Sequence, residues 1–168
     1  MAGHSMLQGR YYEDFEVGDV YAHPHGRTIT EADNVWFSAI TMNASPLHLD
    51  HVYMAETEFG QPLVNSAFTL ALATGLSVID VSHNAFANLG WDKVRLSAPL
   101  FVGDTLYAES EVLETRESAS RPTCGIVRVR TRGYKQDGTV VIDFERTVMV
   151  YRQGASPRGR RPQPLTGR

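Results

Sequence analysis

Apolar residues in this chain follow a helical spacing up to about residue 79 and a spacing of two from residue 91 onward. The first part predicts three helices, in GRTITEADNVWFSAI (26–40), LDHVYMAETEFG (49–60) and NSAFTLALATGLSVI (65–79). Thr30 and Asp50 are suited to cap the first two, Asp33 completes a capping box with Thr30, and Gly60 is expected to end the second. The first helix has a short apolar stripe, consisting of Val35, Trp36, Ala39 and Ile40. The third is apolar nearly all round, which indicates that other elements wrap it on most sides.

Four later segments alternate in polarity, are rich in Val, Thr and aromatic residues, and predict β-strands. They are WDKVRLSAPLF (91–101), DTLYAESEVLETRES (104–118), TCGIVRVRTRGYKQ (123–136) and TVVIDFERTVMVY (139–151). Turn residues separate them, and 136–138 (QDG) is typical of a hairpin. Helices followed by antiparallel strands indicate an α+β domain. A curved antiparallel sheet wrapped around one central apolar helix accommodates every element, and that arrangement is the hotdog fold.

Charge divides the chain into an acidic body and a basic end. Residues 153–168 contain four arginines and no acid, so the remainder of the 168-residue chain carries a net charge of −7. We therefore predict one domain at 7–152 and an Arg/Pro/Gly-rich C-terminal extension at 153–168 that lies outside it. The initial MAGHS is interpreted as lying outside the fold. An acidic body argues against general nucleic-acid binding.

Several other classes of protein are disfavoured by composition. No apolar run approaches the length of a membrane span, and the beginning of the chain lacks the apolar region of a secretory signal. The single cysteine, Cys124, excludes an intramolecular disulfide framework and fits a reducing, cytoplasmic location. The six histidines lack metal-ligand spacing, so no metal site is expected. No Gly-rich phosphate-binding loop precedes a helix.

Three segments within 10–151 resemble the MaoC-like dehydratase family, whose best-known members are the (R)-specific enoyl-CoA hydratases. The first helix is similar to the family's opening, NASPLHLDHVYMAETEFG follows the pattern Asp-x-Asn-Pro-Leu/Ile-His, and RLSAPLFVGDTL resembles Pro-Val…Gly-Asp-Thr-Leu. The longer string TMNxxPLHxD…FGQPLVNS…LGWDKVRL looks like the mesaconyl-CoA hydratase subgroup. The resemblance implies a hotdog hydro-lyase acting on acyl-CoA thioesters, without a metal or redox cofactor, and a homodimer or a dimer of dimers.

The resemblance makes His48 the candidate catalyst. Hydration of an α,β-unsaturated thioester requires a base for water, a proton for Cα and stabilisation of the enolate. Histidine titrates near neutrality and can serve as base and then as acid. A lone histidine in a loop is otherwise a surface or structural residue, so the Pro-Leu-His-x-Asp context carries this interpretation.

The family pattern is altered at other positions of the site. Asn43 replaces the catalytic Asp, and Ser45 replaces the usual Asn. An amide cannot act as a base, but its carbonyl could hold the water; alternatively, Asn43 is only a turn former. The family's His-Gly, whose glycine amide faces the thioester oxygen, becomes Asn65-Ser66, which could instead be a plain N-cap. The resemblance implies that Ser66 N–H, with Asn65 and Ser45, binds substrate, and that His48 faces the helix start of a partner chain.

Two further features have competing interpretations. Arg128, Arg130 and Arg132 share one strand face, which is expected to be solvated rather than bound to coenzyme A phosphates. Trp91 is either a core residue or part of an acyl tunnel.

We predict a hydro-lyase that adds water to, or removes it from, an α,β-unsaturated acyl-CoA. A short branched or dicarboxylic substrate such as mesaconyl-CoA is favoured over a long fatty chain. Two alternatives stay open: a hotdog acyl-CoA thioesterase, and a non-catalytic acyl-CoA-binding subunit that has lost its carboxylate at Asn43.

Overall fold

A computed structural model describes residues 9–157 of the chain. The helices are α1 (Glu31–Ile40), α2 (Pro46–Leu49), α3 (His51–Ala55) and α4 (Ser66–Leu76), with a 3-10 helix at Tyr12–Asp14 and a π-helical segment at Val78–Ser82. The strands are β1 (Val20–Ala22), β2 (Arg27–Thr28), β3 (Ala85–Leu96), β4 (Thr105–Glu117), β5 (Cys124–Lys135) and β6 (Val140–Tyr151). The initial MAGHS and residues 158–168 of the expected extension lie outside the described residues. At the beginning of that extension, the backbone N–H of Gln153 donates to Glu13 Oε2 at 3.0 Å.

The six strands form one curved antiparallel sheet in the order β1-β4-β5-β6-β3, with β2 also paired to β4. Helix α4 packs on this sheet, so the expected hotdog fold is confirmed. Ala73 of α4 is fully buried in the main core cluster, whose other members are Ile29, Val64, Leu100, Leu106, Val141, Ile142 and Phe144. Strand β3 pairs only with β6 among the described strands and forms one edge of the sheet.

Most element boundaries agree with the sequence pattern. Thr30 Oγ1 accepts from the Asp33 backbone at 3.2 Å, and Asp33 accepts from the Thr30 backbone at 2.8 Å, which confirms the capping box. Helix α3 ends at Ala55 rather than continuing to Gly60, because the Thr57 hydroxyl donates to Met54 O at 2.8 Å and closes the last turn. Strand β3 begins at Ala85, six residues earlier than predicted, since pairing with β6 overrides the weak strand propensity of its Ala, Asn and Gly residues.

Burial of the helices differs from the expected pattern. In α1 the buried residues are Asn34 and Ser38, whereas Val35, Trp36 and Ile40 of the expected apolar stripe are exposed. Helix α4 is not wrapped on most sides in the single chain. Small or polar residues along it are exposed, namely Ser66, Ala67, Ala71 and Gly75.

The outer face of the sheet is a lattice of ion pairs, as expected for a solvated surface. Arg128 contacts Glu114 at 3.0 Å and Glu145 at 3.2 Å. Its neighbours continue the pattern, with Arg130 on Asp143 at 2.6 Å and Arg132 on Glu109 at 2.9 Å. Within 9–157, no helix is long and apolar enough to cross a membrane, and no three potential ligands group into a metal site.

Candidate active site

His48 lies in the short helix α2, held in a defined orientation. Ser45 caps this helix by accepting a hydrogen bond from Leu47 N at 3.4 Å, and Pro46 occupies its first turn. His48 Nδ1 lies 2.9 Å from the carbonyl oxygen of Leu63. Because a carbonyl only accepts, Nδ1 carries a proton, and the tautomer compatible with this contact has its lone pair at Nε2. The imidazole is thereby oriented as a base at Nε2.

A cleft of about 250 Å³ adjoins this imidazole. It is lined by Glu31, Asn34, Val35, His48, Leu49, His51, Gln61, Pro62 and Val102. No residue in the described part of the chain hydrogen-bonds His48 Nε2. The lone pair is therefore available to a water molecule or a substrate.

Asn34, a residue of α1 that was not predicted as part of the site, connects its segments. Its side-chain amide donates to the carbonyl oxygens of His48 and Leu63, each at 3.1 Å, and its Oδ1 accepts from Asn65 N at 2.8 Å. The residue is 2% exposed, and both N–H groups are used. The buried amide of Asn34 therefore links three parts of the site: the backbone at His48, the Leu63 carbonyl that contacts the His48 ring, and the start of α4 at Asn65. The sequence contains one indication of this role: Asn34 and Ser38 are polar residues four positions apart, so they lie on the same face of the helix.

The start of α4 is built by Asn65 and presents Ser66. Asn65 Oδ1 accepts from Ala67 N at 3.0 Å, its Nδ2 donates to Ser38 Oγ at 3.1 Å, and the residue is only 3% exposed. The Asn65 side chain is therefore a buried cap. Ser66 is exposed and, with Leu63, lines a second cavity of about 300 Å³. Backbone N–H groups in the first turn of a helix have no intrahelical acceptor, so the Ser66 amide is a donor at this cavity.

The segment that contains His48 and the start of α4 are linked within one chain. Leu63 connects them, because its carbonyl accepts from His48 while its residue lines the cavity of Ser66. Asn34 links the two segments as well, since it contacts both the His48 carbonyl and the Asn65 backbone. That His48 faces the helix start of a partner stays a prediction.

Asn43 and Ser45 shape the loop that leads to the histidine. Asn43 Oδ1 accepts from Ser45 N at 3.2 Å, and Asn43 N donates to Ser38 O at 2.9 Å. This is the turn-forming alternative considered for Asn43, although the left-handed residue of the loop is Met42, at φ 57°. Ser45 acts as the helix cap described above.

Comparison with known proteins gives one consistent family. The family model described as mesaconyl-CoA hydratase matches residues 3–160. The mesaconyl-CoA hydratase of Cereibacter sphaeroides is 35% identical over 84% of this chain, which spans 41% of that relative. The chain therefore spans about two fifths of the length of this curated relative.

Two solved structures share the fold. A MaoC domain protein dehydratase from Chloroflexus aurantiacus matches 96% of this chain with a TM-score of 0.85 at 28% identity, over 46% of its own chain. A Mycobacterium tuberculosis protein described as having a double hotdog fold matches 92% with a TM-score of 0.79 at 27% identity, over 47% of its own chain. Together with the family match, these findings show that the chain belongs to the mesaconyl-CoA hydratase family of MaoC-like hotdog proteins.

Proposed function

We propose that this protein is an enoyl-CoA hydratase, a hydro-lyase that adds water to an α,β-unsaturated acyl-CoA or removes it from the hydroxyacyl-CoA. One observation carries the proposal. The Nδ1 proton of His48 is held by Leu63 O, which leaves Nε2 to act as a base, and Leu63 also lines the cavity at the start of α4. A base and an oxyanion donor are the two groups that hydration of a thioester requires.

The reaction proceeds from these two groups. His48 Nε2 removes a proton from water as the water oxygen bonds to Cβ, and the double-bond electrons move toward the thioester. The Ser66 N–H, at the positive end of α4, stabilises the enolate oxygen. The imidazolium then returns the proton to Cα, which completes the addition of H and OH. Dehydration is the same sequence reversed.

Asn43 has a lesser role in this mechanism. Its amide does not titrate, so His48 performs both proton transfers. Its Oδ1 has a second lone pair beyond the one that accepts from Ser45 N, and that lone pair could hold the attacking water.

We propose a short branched or dicarboxylic enoyl-CoA as the substrate. The support is the family match together with the relative from Cereibacter sphaeroides that is named for mesaconyl-CoA. Coenzyme A enters as part of the substrate, and no other cofactor takes part in the steps above. A cytoplasmic location is part of the proposal, in keeping with the unpaired, buried Cys124.

We also propose that the protein is a homodimer or a dimer of dimers. Strand β3 is a sheet edge that exposes large apolar residues, among them Phe86, Leu89, Val94 and Leu96. An unpaired edge with apolar side chains favours pairing with a symmetric copy. The chain also matches just under half of a double hotdog protein. Light scattering should return at least twice 18.7 kDa; an active monomer contradicts this assembly.

One assay separates hydration from its alternatives. Purified protein is mixed with an enoyl-CoA while absorbance of the enoyl-thioester band and release of free thiol are followed together. Loss of absorbance without thiol release supports the hydratase. Thiol release indicates a thioesterase, and binding without either change indicates an acyl-CoA-binding subunit.

A further inference from the structure

Arg146 occupies a core position of the sheet. Alternate residues of β6 are buried: Ile142 and Phe144 precede Arg146 in the strand, and Val148 and Val150 follow it. Arg146 falls in the same alternation and is 5% exposed. An arginine therefore stands where the pattern of the strand requires an apolar side chain.

The Arg146 guanidinium has only neutral partners within residues 9–157. Its Nε donates to Asn88 Oδ1 at 2.6 Å, and its Nη1 donates to Ser77 Oγ at 3.2 Å. Burial without a compensating acid lowers the pKa of Arg146 to about 10. The arginines of the neighbouring strand β5 differ, because Arg128, Arg130 and Arg132 each contact at least one carboxylate.

Within residues 9–157, the Arg146 guanidinium has no acidic partner, and not all of its N–H donors make hydrogen bonds. A guanidinium has five N–H donors, and Asn88 and Ser77 use two of them. The negative end of α4, capped by Ser77, offsets only part of a buried positive charge. Planar N–H pairs of arginine match the two oxygens of a carboxylate.

We propose that Arg146 binds the free carboxylate of a dicarboxylic acyl-CoA. This inference rests on the acyl-CoA ligand of the proposed function and specifies its chemical class. The thioester lies at the Ser66 end of α4, and Arg146 lies at the Ser77 end. Between these ends α4 exposes only small residues on one side, Ala67, Ala71 and Gly75, so an acyl chain has room to pass along the helix.

Residues at the far end of α4 complete the site. Trp91 is directly opposite Arg146 in the β3–β6 pairing, and its indole donates to Thr74 Oγ1 at 3.1 Å. Trp91 is 44% exposed, so it is not the core residue considered from the sequence. Its indole covers the last turns of α4 beside Arg146 and offers an apolar wall to an acyl chain.

The Arg146 guanidinium lies at the last turn of α4. Ser77 Oγ, which accepts from Arg146, itself donates to Thr74 O at 2.7 Å.

Calorimetry with saturated thioesters tests the site without requiring turnover. Glutaryl-CoA and pentanoyl-CoA have the same chain length and differ in the terminal carboxylate. We expect the wild-type protein to bind glutaryl-CoA about 10- to 100-fold more tightly, as hydrogen bonds to a buried charge predict. The monomethyl ester of glutaryl-CoA should bind like pentanoyl-CoA. Equal affinities for all three thioesters overturn the proposal.

Variants assign the preference to Arg146. Arg146→Met should remove the preference for glutaryl-CoA while changing pentanoyl-CoA affinity less than about threefold, and Arg130→Met, on the outer face, should leave it intact. An equal loss for both ligands in Arg146→Met shows a purely structural role and overturns the proposal. If Arg146→Met does not fold, Arg146→Lys, which keeps the charge but lacks the planar donor pair, must reduce the preference; an unchanged preference overturns it.

Failure of the proposed function is recognised separately. If the absorbance assay detects no hydration but glutaryl-CoA is still preferred through Arg146, the carboxylate site stands and the hydratase proposal fails. If hydration occurs without that preference, the hydratase proposal stands and the carboxylate site is wrong.

Discussion

His23 and His48 are both held by hydrogen bonds, but His48 adjoins a cleft whereas His23 is buried. His23 Nδ1 lies 2.9 Å from Asp80 Oδ2, and its Nε2 lies 2.9 Å from Ser110 Oγ. These contacts have the order of a Ser-His-Asp triad. His48 has a simpler environment, with Nδ1 on the neutral carbonyl of Leu63 and Nε2 open to a cleft.

His23 and His48 differ in whether a substrate can reach the side chain, not only in their hydrogen-bond partners. Ser110 is fully buried, and its hydroxyl also contacts Thr131 Oγ1 at 2.8 Å. The side chain of His23 has no exposed surface, and Asp80 is also bound by Arg10 at 2.5 Å. Every polar group in this network therefore has a partner from the fold, which is typical of a structural role. A triad geometry without an approach for substrate does not indicate an enzyme site.

The largest expected effect on activity is that of His48→Ala. If His48 performs both proton transfers, kcat should fall by roughly 10²- to 10⁴-fold. The melting temperature should change little, because the substitution removes one hydrogen bond of a half-buried side chain. Steady-state kinetics and thermal unfolding measure the two effects, with the exposed His25→Ala as a matched control. Full activity in His48→Ala would remove the hydratase mechanism.

Asn34→Asp should have the next largest effect, because it keeps the shape and loses both donors. The new carboxylate can still accept from Asn65 N, but it faces the carbonyl oxygens of His48 and Leu63 at hydrogen-bond distance. We expect kcat to fall about 10- to 100-fold and unfolding free energy to fall by about 1–3 kcal/mol. KM should change much less, since Asn34 positions the base.

A purely structural role for Asn34 predicts something else. Activity per folded molecule, measured well below the melting temperature of the variant, would then equal that of the wild type. An unchanged kcat in Asn34→Asp under those conditions would show that the tautomer and position of His48 do not depend on this amide.

The sequence predicted the fold better than the site. Period-two alternation located β4 to within one residue at each end, and Thr30 with Asp33 located the start of α1, because both signals are local. The role of Asn34 was missed because its three partners come from residues 14 to 31 positions away in the chain. No local pattern reports such contacts.

Departures from the family pattern were visible in the sequence, but their consequences were not. Asn65 was predicted as a substrate contact, and its side-chain amide also donates to Ser38 in a buried hydrogen bond. That contact depends on how α1 packs beside α4, which polarity alone does not specify, since α1 buries polar rather than apolar residues.

Substitutions of Asn43 should have a smaller effect than those of His48 or Asn34. Asn43→Ala removes a neutral acceptor and should lower kcat by about 10-fold at most. Asn43→Asp keeps the acceptor for Ser45 N and adds a negative charge. It should lower activity on a dicarboxylic enoyl-CoA relative to crotonyl-CoA, because like charges repel in a water-poor pocket. An unchanged ratio of the two activities would show that Asn43 does not face the acyl group.

The smallest effect on activity, with a clear effect on stability, is expected for the His23 network. Burial raises the pKa of Asp80, but hydrogen bonds from His23 and Arg10 outweigh it, so the folded-state pKa lies below its ordinary value. A carboxyl group with a lowered folded-state pKa stabilises the protein above its unfolded-state pKa of about 4. That stabilisation is lost as pH falls through the lower, folded-state value.

Asp80→Asn should therefore reduce the free energy of unfolding at pH 7 by about 1–3 kcal/mol and flatten its decline below pH 4. Urea unfolding at a series of pH values measures both, while kcat per folded molecule at pH 7 should match the wild type. A loss of kcat in Asp80→Asn comparable to that in His48→Ala would mean that the buried network, and not only the open one, takes part in catalysis.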